Sequence, residues 1–371
     1  MKPLEGKIAV VAGATRGGGR GIACMLGEAG ATVYCSGRST RENAATAGRP
    51  ETIEETAEMV TAHGGHGIHA RVDHTDEAQV AAFFERVKSE QGRLDILVND
   101  IWGGDALTEW GTPFWKLDIA KGKTMMERAV TAHIITSRHG VPLMVERNEG
   151  LIIEITDGDE EMNRPYRGNL FYDLVKVSAI RLAFGMAQEL RDTNITALAL
   201  TPGFLRSEMM LEHFGVTEEN WQEGAKKDPH FIHSETPFYV GRAVAALAAD
   251  PDVWKKSGGS FSSWQLAREY GFTDVDGRQP HFGEHLEKTL DELWPEFEKL
   301  LREKFSDQSS LADSDIIIDR KLLRVKINLA PGKASPDWFE FAPTFAEIVM
   351  SDLQTLAEKC CEKYSQKRRH H

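Results

Sequence analysis

The stretch that most constrains this chain is Ile8 to Ala23, IAVVAGATRGGGRGIA. Ile8 to Val11 is a short apolar run of the kind that forms a buried strand. Gly13, Gly17 and Gly19 cluster directly after it, and an apolar-periodic helix follows from Ile22. Glycines at such a junction permit a tight turn. They also let the backbone approach a pyrophosphate at the helix N-terminus, where unpaired N–H groups and the helix dipole favour an anion. Glycine in a strand-to-helix turn also serves packing alone, so the rest of the chain has to choose between these uses.

The chain then alternates. Thr32 to Cys35 reads as a strand, Thr52 to Ala62 as a helix, Ile68 to Val72 as a strand ending at Asp73, and Ala78 to Gln91 as a helix. Leu94 to Val98 is a further strand, and Met125 to Glu146 a long helical stretch with a bend expected near Pro142. Leu151 to Ile155, the helix Leu170 to Arg191, and Ile195 to Leu200 complete the series. This alternation predicts an α/β fold, a doubly wound parallel sheet with right-handed crossovers and a ligand at the strand C-termini.

Composition narrows the function classes. The 371 residues, 41% of them hydrophobic, suffice for one large domain, or one domain with an appendage. A formal net charge of −13 argues against general nucleic-acid binding. No apolar run reaches about 18 residues, so no membrane-spanning helix is expected. The N-terminus leads straight into the first strand without an apolar signal region. Cys24, Cys35, Cys360 and Cys361 form neither a disulfide framework nor a metal-ligand spacing. A reducing, cytoplasmic setting and no metal are the expectation. His63 and His66 sit among glycines and read as loop residues. The basic end, Lys367 to His371, reads as a frayed tail or a cloning remnant.

Candidate site residues lie at the ends of the strands. The second strand ends in Ser36-Gly37-Arg38-Ser39, with no acid to take a ribose 2′-hydroxyl. Arg38, joined by Arg16 from the glycine loop, suits a 2′-phosphate, which favours NADP(H) over NAD(H). The alternative is a pair of solvated surface arginines. Tyr172 and Lys176 stand four residues apart and share one helix face. Trp110 to Lys123 is an aromatic-rich connection that either walls a pocket or packs beneath the following helix.

Together these pieces resemble the short-chain dehydrogenase/reductase family over roughly Lys2 to Gly283. Gly13-Ala14-Thr15-Arg16-Gly17-Gly18-Gly19 matches its GxxxGxG loop, and Tyr172-Asp173-Leu174-Val175-Lys176 its YxxxK motif. Asp73 matches its adenine-ring aspartate, and Asn99 opens its NNAG strand end. Pro202-Gly203, with Ser207 where threonine is usual, matches the loop that holds the nicotinamide carboxamide. Pro237 to Ala249 is similar to the penultimate helix, and Gly258 to Ser262 to the last strand. The resemblance implies a Rossmann-type fold, a small-molecule substrate and a homodimer or tetramer. It implies a cofactor held by Gly13, Thr15, Arg16, Gly17, Gly19, Arg38, Asp73, Asn99, Tyr172, Lys176, Pro202, Gly203 and Ser207. Tyr172 is then the general acid for the alkoxide that hydride transfer produces. The Lys176 ammonium favours its phenolate form.

Two catalytic positions depart from the family. Asp157, with Thr156 beside it, stands where a serine orients the substrate carbonyl. Ala129, with His133 one turn on, stands where an asparagine anchors a relay water. The strand end is also altered, to Asn99-Asp100-Ile101-Trp102. Four readings of Asp157 are open: a neutral acid that donates, a role passed to Thr156, a counter-charge for an iminium substrate, or a residue facing water. The leading expectation is an NADP(H)-dependent oxidoreductase acting on a carbonyl or imine. The alternative is a redox-silent NADP(H)-binding sensor or scaffold. A third reading uses the site for isomerisation or elimination.

The family fold is complete near Gly283, which divides the chain into a catalytic domain, 1–283, and an extension, 284–371. The extension reads as a small α+β addition. It has a helix over Leu286 to Phe305, a polar linker over Ser306 to Asp315, and an alternating strand over Leu323 to Leu329. A turn-rich break follows at Pro331 to Pro336, then a helix striped by Phe345, Ile348, Val349, Leu353, Leu356 and Cys360. It covers a cleft, mediates self-association or binds a partner; no motif chooses.

Overall fold

The structure, a computed structural model, describes residues 2–46, 48–163, 166–306, 315–319, 324–329, 337–341, 343, 348 and 353–369. Chain contacts divide it into two units. One comprises Met1–Asn163 and Asn169–Phe282, the other Arg164–Gly168 and Gly283–His371.

The first unit is built on a parallel sheet. Its strands are β1 (Ile8–Ala12), β2 (Thr32–Gly37), β3 (His66–Arg71), β4 (Ile96–Asn99), β5 (Gly150–Ile155), β6 (Ile195–Thr201) and β7 (Ser260–Ser262). They lie in the order β3-β2-β1-β4-β5-β6-β7. Every pairing is parallel, with Ala12 beside Ser36 on one flank and beside Asn99 on the other. Strand order reverses between β1 and β4, the place where α/β sheets open a ligand crevice at their C-terminal edge.

Alternate residues of the inner strands feed two cores. Ala9, Val11, Ile96 and Val98 join one apolar cluster. Ile8, Val10 and Leu97 join the other. Both faces are covered, so the strands read as nearly continuous apolar runs. On the first face α1 (Gly17–Glu28) packs against α8 (Pro237–Ala249). A Cβ on Gly21 would stand 2.0 Å from the Pro237 carbonyl oxygen, so only glycine permits this approach. Helix α2 (Ile53–Ala62) follows Thr52, whose hydroxyl caps it by accepting from the Glu55 N–H. Helix α3 (Glu77–Gln91) buries Val80, Phe83, Phe84 and Val87 in the second core.

Several expectations need correction. His66 begins β3 and is not a loop residue. The long helical stretch is α4 (Ile119–Met126), a π-helical turn (Glu127–Thr131) and α5 (Ala132–Val145). The irregularity is therefore at Glu127–Thr131, while Pro142 sits inside α5. The aromatic connection does not pack beneath a helix: Trp110, Phe114 and Trp115 are 59%, 62% and 71% exposed. Helices α6 (Leu170–Glu189), α7 (Glu208–Phe214) and α9 (Ser263–Tyr270) complete the unit.

The second unit contains α10 (Phe282–Ser306), an antiparallel sheet and α11 (Leu353–Arg369). The sheet order is β10 (Trp338–Phe341), β9 (Arg324–Asn328), β8 (Ile316–Asp319). Val325 and Ile327 point to a core shared with Phe297, Leu301, Phe341, Leu356 and Tyr364. The alternating strand is therefore β9, flanked by two strands that its own pattern does not announce. Lys367 and Arg368 belong to α11, so the basic end is helical that far and not a frayed tail. Residues 307–314 of the expected linker, residues 331–336 of the expected break, and Phe345 and Val349 lie outside the described residues. Among the described residues no helix is long and apolar enough to cross a membrane, and no acid, histidine or cysteine group could hold a metal ion.

Candidate active site

The glycine loop sits at the β1–β4 switch. Gly13 has φ +91°, and a Cβ there would lie 2.2 Å from the Asp100 carbonyl oxygen. Glycine therefore brings the loop against the β4 strand end. Thr15 is buried, and its hydroxyl faces Gly37, whose Cβ would stand 2.4 Å away. Arg16 precedes α1 in extended conformation and gives it no side-chain cap. The Gly17 N–H instead donates to the Glu208 carboxylate at 2.8 Å.

Around the end of β2 arginines meet carboxylates. Arg16 donates to Thr46 Oγ1 at 2.7 Å and pairs with Glu51 at 3.4 Å. Arg38 lies 4.0 Å from Asp73. Burial alone would raise the Asp73 carboxyl; hydrogen bonds from Thr75 and the Arg38 charge hold it below the usual range. Arg128, on the π-helical turn, was not foreseen. It donates to the Gly103 carbonyl at 2.8 Å, and a Cβ on Gly103 would lie 3.5 Å from Arg128 Nη1 and 3.8 Å from Arg38 Nη2. Burial and the neighbouring Arg38 both lower its affinity for a proton. Two guanidiniums brought this close suit a shared anion.

The end of β4 is tied to a buried polar network. Asn99 donates to Ser137 Oγ at 3.0 Å and to Glu154 Oε1 at 2.7 Å. His133 meets Glu154 through Nδ1 at 2.5 Å and the Ile101 carbonyl through Nε2 at 2.9 Å. A carbonyl only accepts, so Nε2 carries a proton, and Nδ1 and Glu154 share another. Burial would lower the His133 pKa, but the Glu154 charge and the hydrogen bonds outweigh it and raise it. The Asp100 carboxyl packs against Gly18 and Gly19, at 3.1 and 3.0 Å from where their Cβ atoms would be. This burial pushes it up to about 7, against the opposing charges of Lys176 and His133.

The tyrosine and lysine come from α6. Asn169 caps that helix, accepting from the Tyr172 N–H at 3.1 Å. The Tyr172 hydroxyl donates to Asp157 Oδ2 at the end of β5. Lys176 Nζ stands 3.9 Å from the Trp102 ring centroid and 5.4 Å from that of Tyr172. Trp102 and Trp110 flank the Tyr172 ring, with centroids 5.9 and 4.9 Å away. Thr156 is buried, and its hydroxyl donates to the Lys176 carbonyl at 2.8 Å. Ala129 is buried in the π-helical turn.

Pro202 and Gly203 follow β6. The Gly203 N–H donates to Glu235 at 2.9 Å, and Ser263 Oγ donates to the same oxygen at 2.6 Å. Burial pushes the Glu235 carboxyl up to about 8. Ser207 caps α7, its hydroxyl accepting from the Met210 N–H at 3.4 Å. Glu154, Arg128, Glu208 and Glu235 are the site's residues that sequence reasoning did not find. Glu154 alone carried a signal, as a charge inside the apolar run LIIEI.

The chain as a whole is similar to known proteins. A family model described as short chain dehydrogenase matches residues 7–214. "Dehydrogenase/reductase SDR family member 1" of Homo sapiens is 34% identical over 281 residues, 74% of this chain and 85% of that protein. "3-oxoacyl-[acyl-carrier-protein] reductase FabG" of Vibrio harveyi is 29% identical over 253 residues, covering 67% and 95% of the two chains. A short chain dehydrogenase from Mycobacterium thermoresistibile superposes with a TM-score of 0.62 at 21% identity, over 76% of this chain and 92% of its own. A metagenomic short-chain oxidoreductase solved with NADP superposes with a TM-score of 0.52 at 24% identity, over 67% and 94%. By its sequence match over more than half its length, and by its fold, the chain belongs to the short-chain dehydrogenase/reductase family of oxidoreductases.

Proposed function

We propose that this chain is an NADP(H)-dependent oxidoreductase acting on a carbonyl or imine carbon of a small organic molecule. The observation that carries this reading is the pairing of Tyr172 and Lys176 on one face of α6, with the Tyr172 hydroxyl held at the end of β5. The residues fit a dinucleotide. Helix α1 lacks a side-chain cap, and its first N–H already takes an anion, the Glu208 carboxylate. When bound, the nicotinamide supplies or accepts the hydride. Gly13, Thr15, Gly17 and Gly19 would shape the pyrophosphate loop. Asn99 and Asp73 would border the adenosine half, and Pro202, Gly203 and Ser207 the nicotinamide.

Arg38 and Arg128, with Arg16 from the glycine loop, would take the 2′-phosphate. The like charges near Gly103 are relieved by a dianion, which NADP(H) brings and NAD(H) does not. Tyr172 would give its proton to the substrate oxygen, and Lys176 would stabilise the phenolate left behind. Asp157 would hold the Tyr172 hydroxyl in place. Thr156 would act behind the site, fixing the turn of α6 that carries Lys176. In this reading the Trp110 segment borders the substrate, since its ring lies against Tyr172.

A homo-oligomer also fits. Leu174, Val177 and Phe184 form an exposed apolar stripe on α6, each 38–45% accessible. The size of the protein in solution, by light scattering, tests this. Titration of the purified chain with NADPH and NADH tests the cofactor: tighter binding of NADPH is expected, and failure to bind either overturns the reading.

A further inference from the structure

The α1 N-terminus is already engaged by an anion from within the chain. Glu208 Oε2 accepts from the Gly17 N–H at 2.8 Å, and Oε1 lies 3.6 Å from Arg20 Nη1. Glu208 is the first residue of α7. One turn later Glu212 pairs with Arg49, which pairs in turn with Glu51, the partner of Arg16. Two carboxylates on one face of α7 thus reach across to the glycine loop and to the loop after β2. Both are places where the dinucleotide reading puts phosphate groups.

We propose that Glu208 is the residue that sets this chain's dinucleotide affinity, as an internal anion that the cofactor pyrophosphate must displace. This rests on the dinucleotide reading above. Two anions cannot share one helix N-terminus without repulsion, because the same few N–H groups and the same dipole favour both. Binding therefore exchanges the Glu208 carboxylate for pyrophosphate at Gly17. The exchange frees the start of α7, whose cap is Ser207. Cofactor arrival is thereby coupled to the position of the segment after Pro202-Gly203.

The test uses the full chain, Glu208→Gln and Glu208→Ala, and NADPH titrated by fluorescence without any substrate. Glutamine keeps the size and an accepting oxygen but not the charge. Both variants are expected to bind NADPH about tenfold more tightly than wild type, the scale of an anion at a helix terminus. Without cofactor, Glu208→Ala should melt below wild type, since Gly17 loses its acceptor. A merely structural residue would lower both stability and affinity. Unchanged or weaker NADPH binding by both variants, with wild type binding normally, overturns the inference alone. No binding of NADPH or NADH by wild type or either variant overturns the dinucleotide reading, and this inference with it.

Discussion

The Tyr172 hydroxyl donates to the carboxylate of Asp157. Asp157, which the family resemblance aligns with a serine, thus touches the proposed proton donor directly. The proposed mechanism does not use the Thr156 hydroxyl on the substrate, since it donates to the Lys176 carbonyl. In the proposed mechanism Asp157 is a positioning group for Tyr172. Asp157→Ala should lower kcat about 10- to 100-fold, less than the loss of the proton-transfer group itself would. The NADPH dissociation constant should stay unchanged. Asp157→Ser should recover part of the loss. Steady-state kinetics together with cofactor titration separates the two parameters.

Arg38 and Arg128 supply the argument for NADP(H). Arg38→Ala should weaken NADPH binding about tenfold, the value of a charge-assisted contact to phosphate, and leave NADH nearly unaffected. Equal weakening of both cofactors would place Arg38 away from the 2′-phosphate. Parallel titrations with the two cofactors make the comparison.

The His133–Glu154 pair is fully buried. Removing one partner leaves the other charge without its counter-ion in the interior, which costs about 3–5 kcal/mol. His133→Ala should therefore melt well below wild type. Thermal unfolding of the two proteins measures the difference.

Asp100 gives a pH dependence with a definite sign. Its carboxyl is raised to about 7 in the folded protein, through burial, from a usual value near 3.8. A raised acid keeps its proton when folded and loses it when unfolded. Its contribution to stability is thus full below about pH 4, is lost as pH rises to about 7, and is level beyond. Asp100→Asn lacks this loss. The stability difference, variant minus wild type, should grow from pH 4 to 7 and then stay constant. Chemical denaturation across that range reads it.

Much of this was legible because it is local. The run Ile8–Ala12 and the glycines after it are decided by neighbours in the chain, and the parallel sheet follows from the alternation of strands and helices. What escaped depends on distant partners. Where the Thr156 hydroxyl points is set by α6, and Ser207 is spent on capping α7. The exposure of Trp110, Phe114 and Trp115 is a tertiary outcome that aromatic composition does not reveal. Strands β8 and β10 have four residues each, too few to show a period beside the clearer alternation of β9. Arg128 and Glu208 lie far in sequence from the loops they serve, and nothing in their own segments marks them.

The most direct measurement of the central claim is NADPH oxidation by wild type and Tyr172→Phe against a panel of ketones, aldehydes and cyclic imines. Wild type should oxidise NADPH with at least one of these classes. Tyr172→Phe should lose about 10²- to 10⁴-fold in kcat, the range of a general acid, while binding NADPH as before. Tight NADPH binding with no oxidation by any class, or turnover that survives loss of the hydroxyl, would contradict the account and favour a redox-silent binding protein of the same fold.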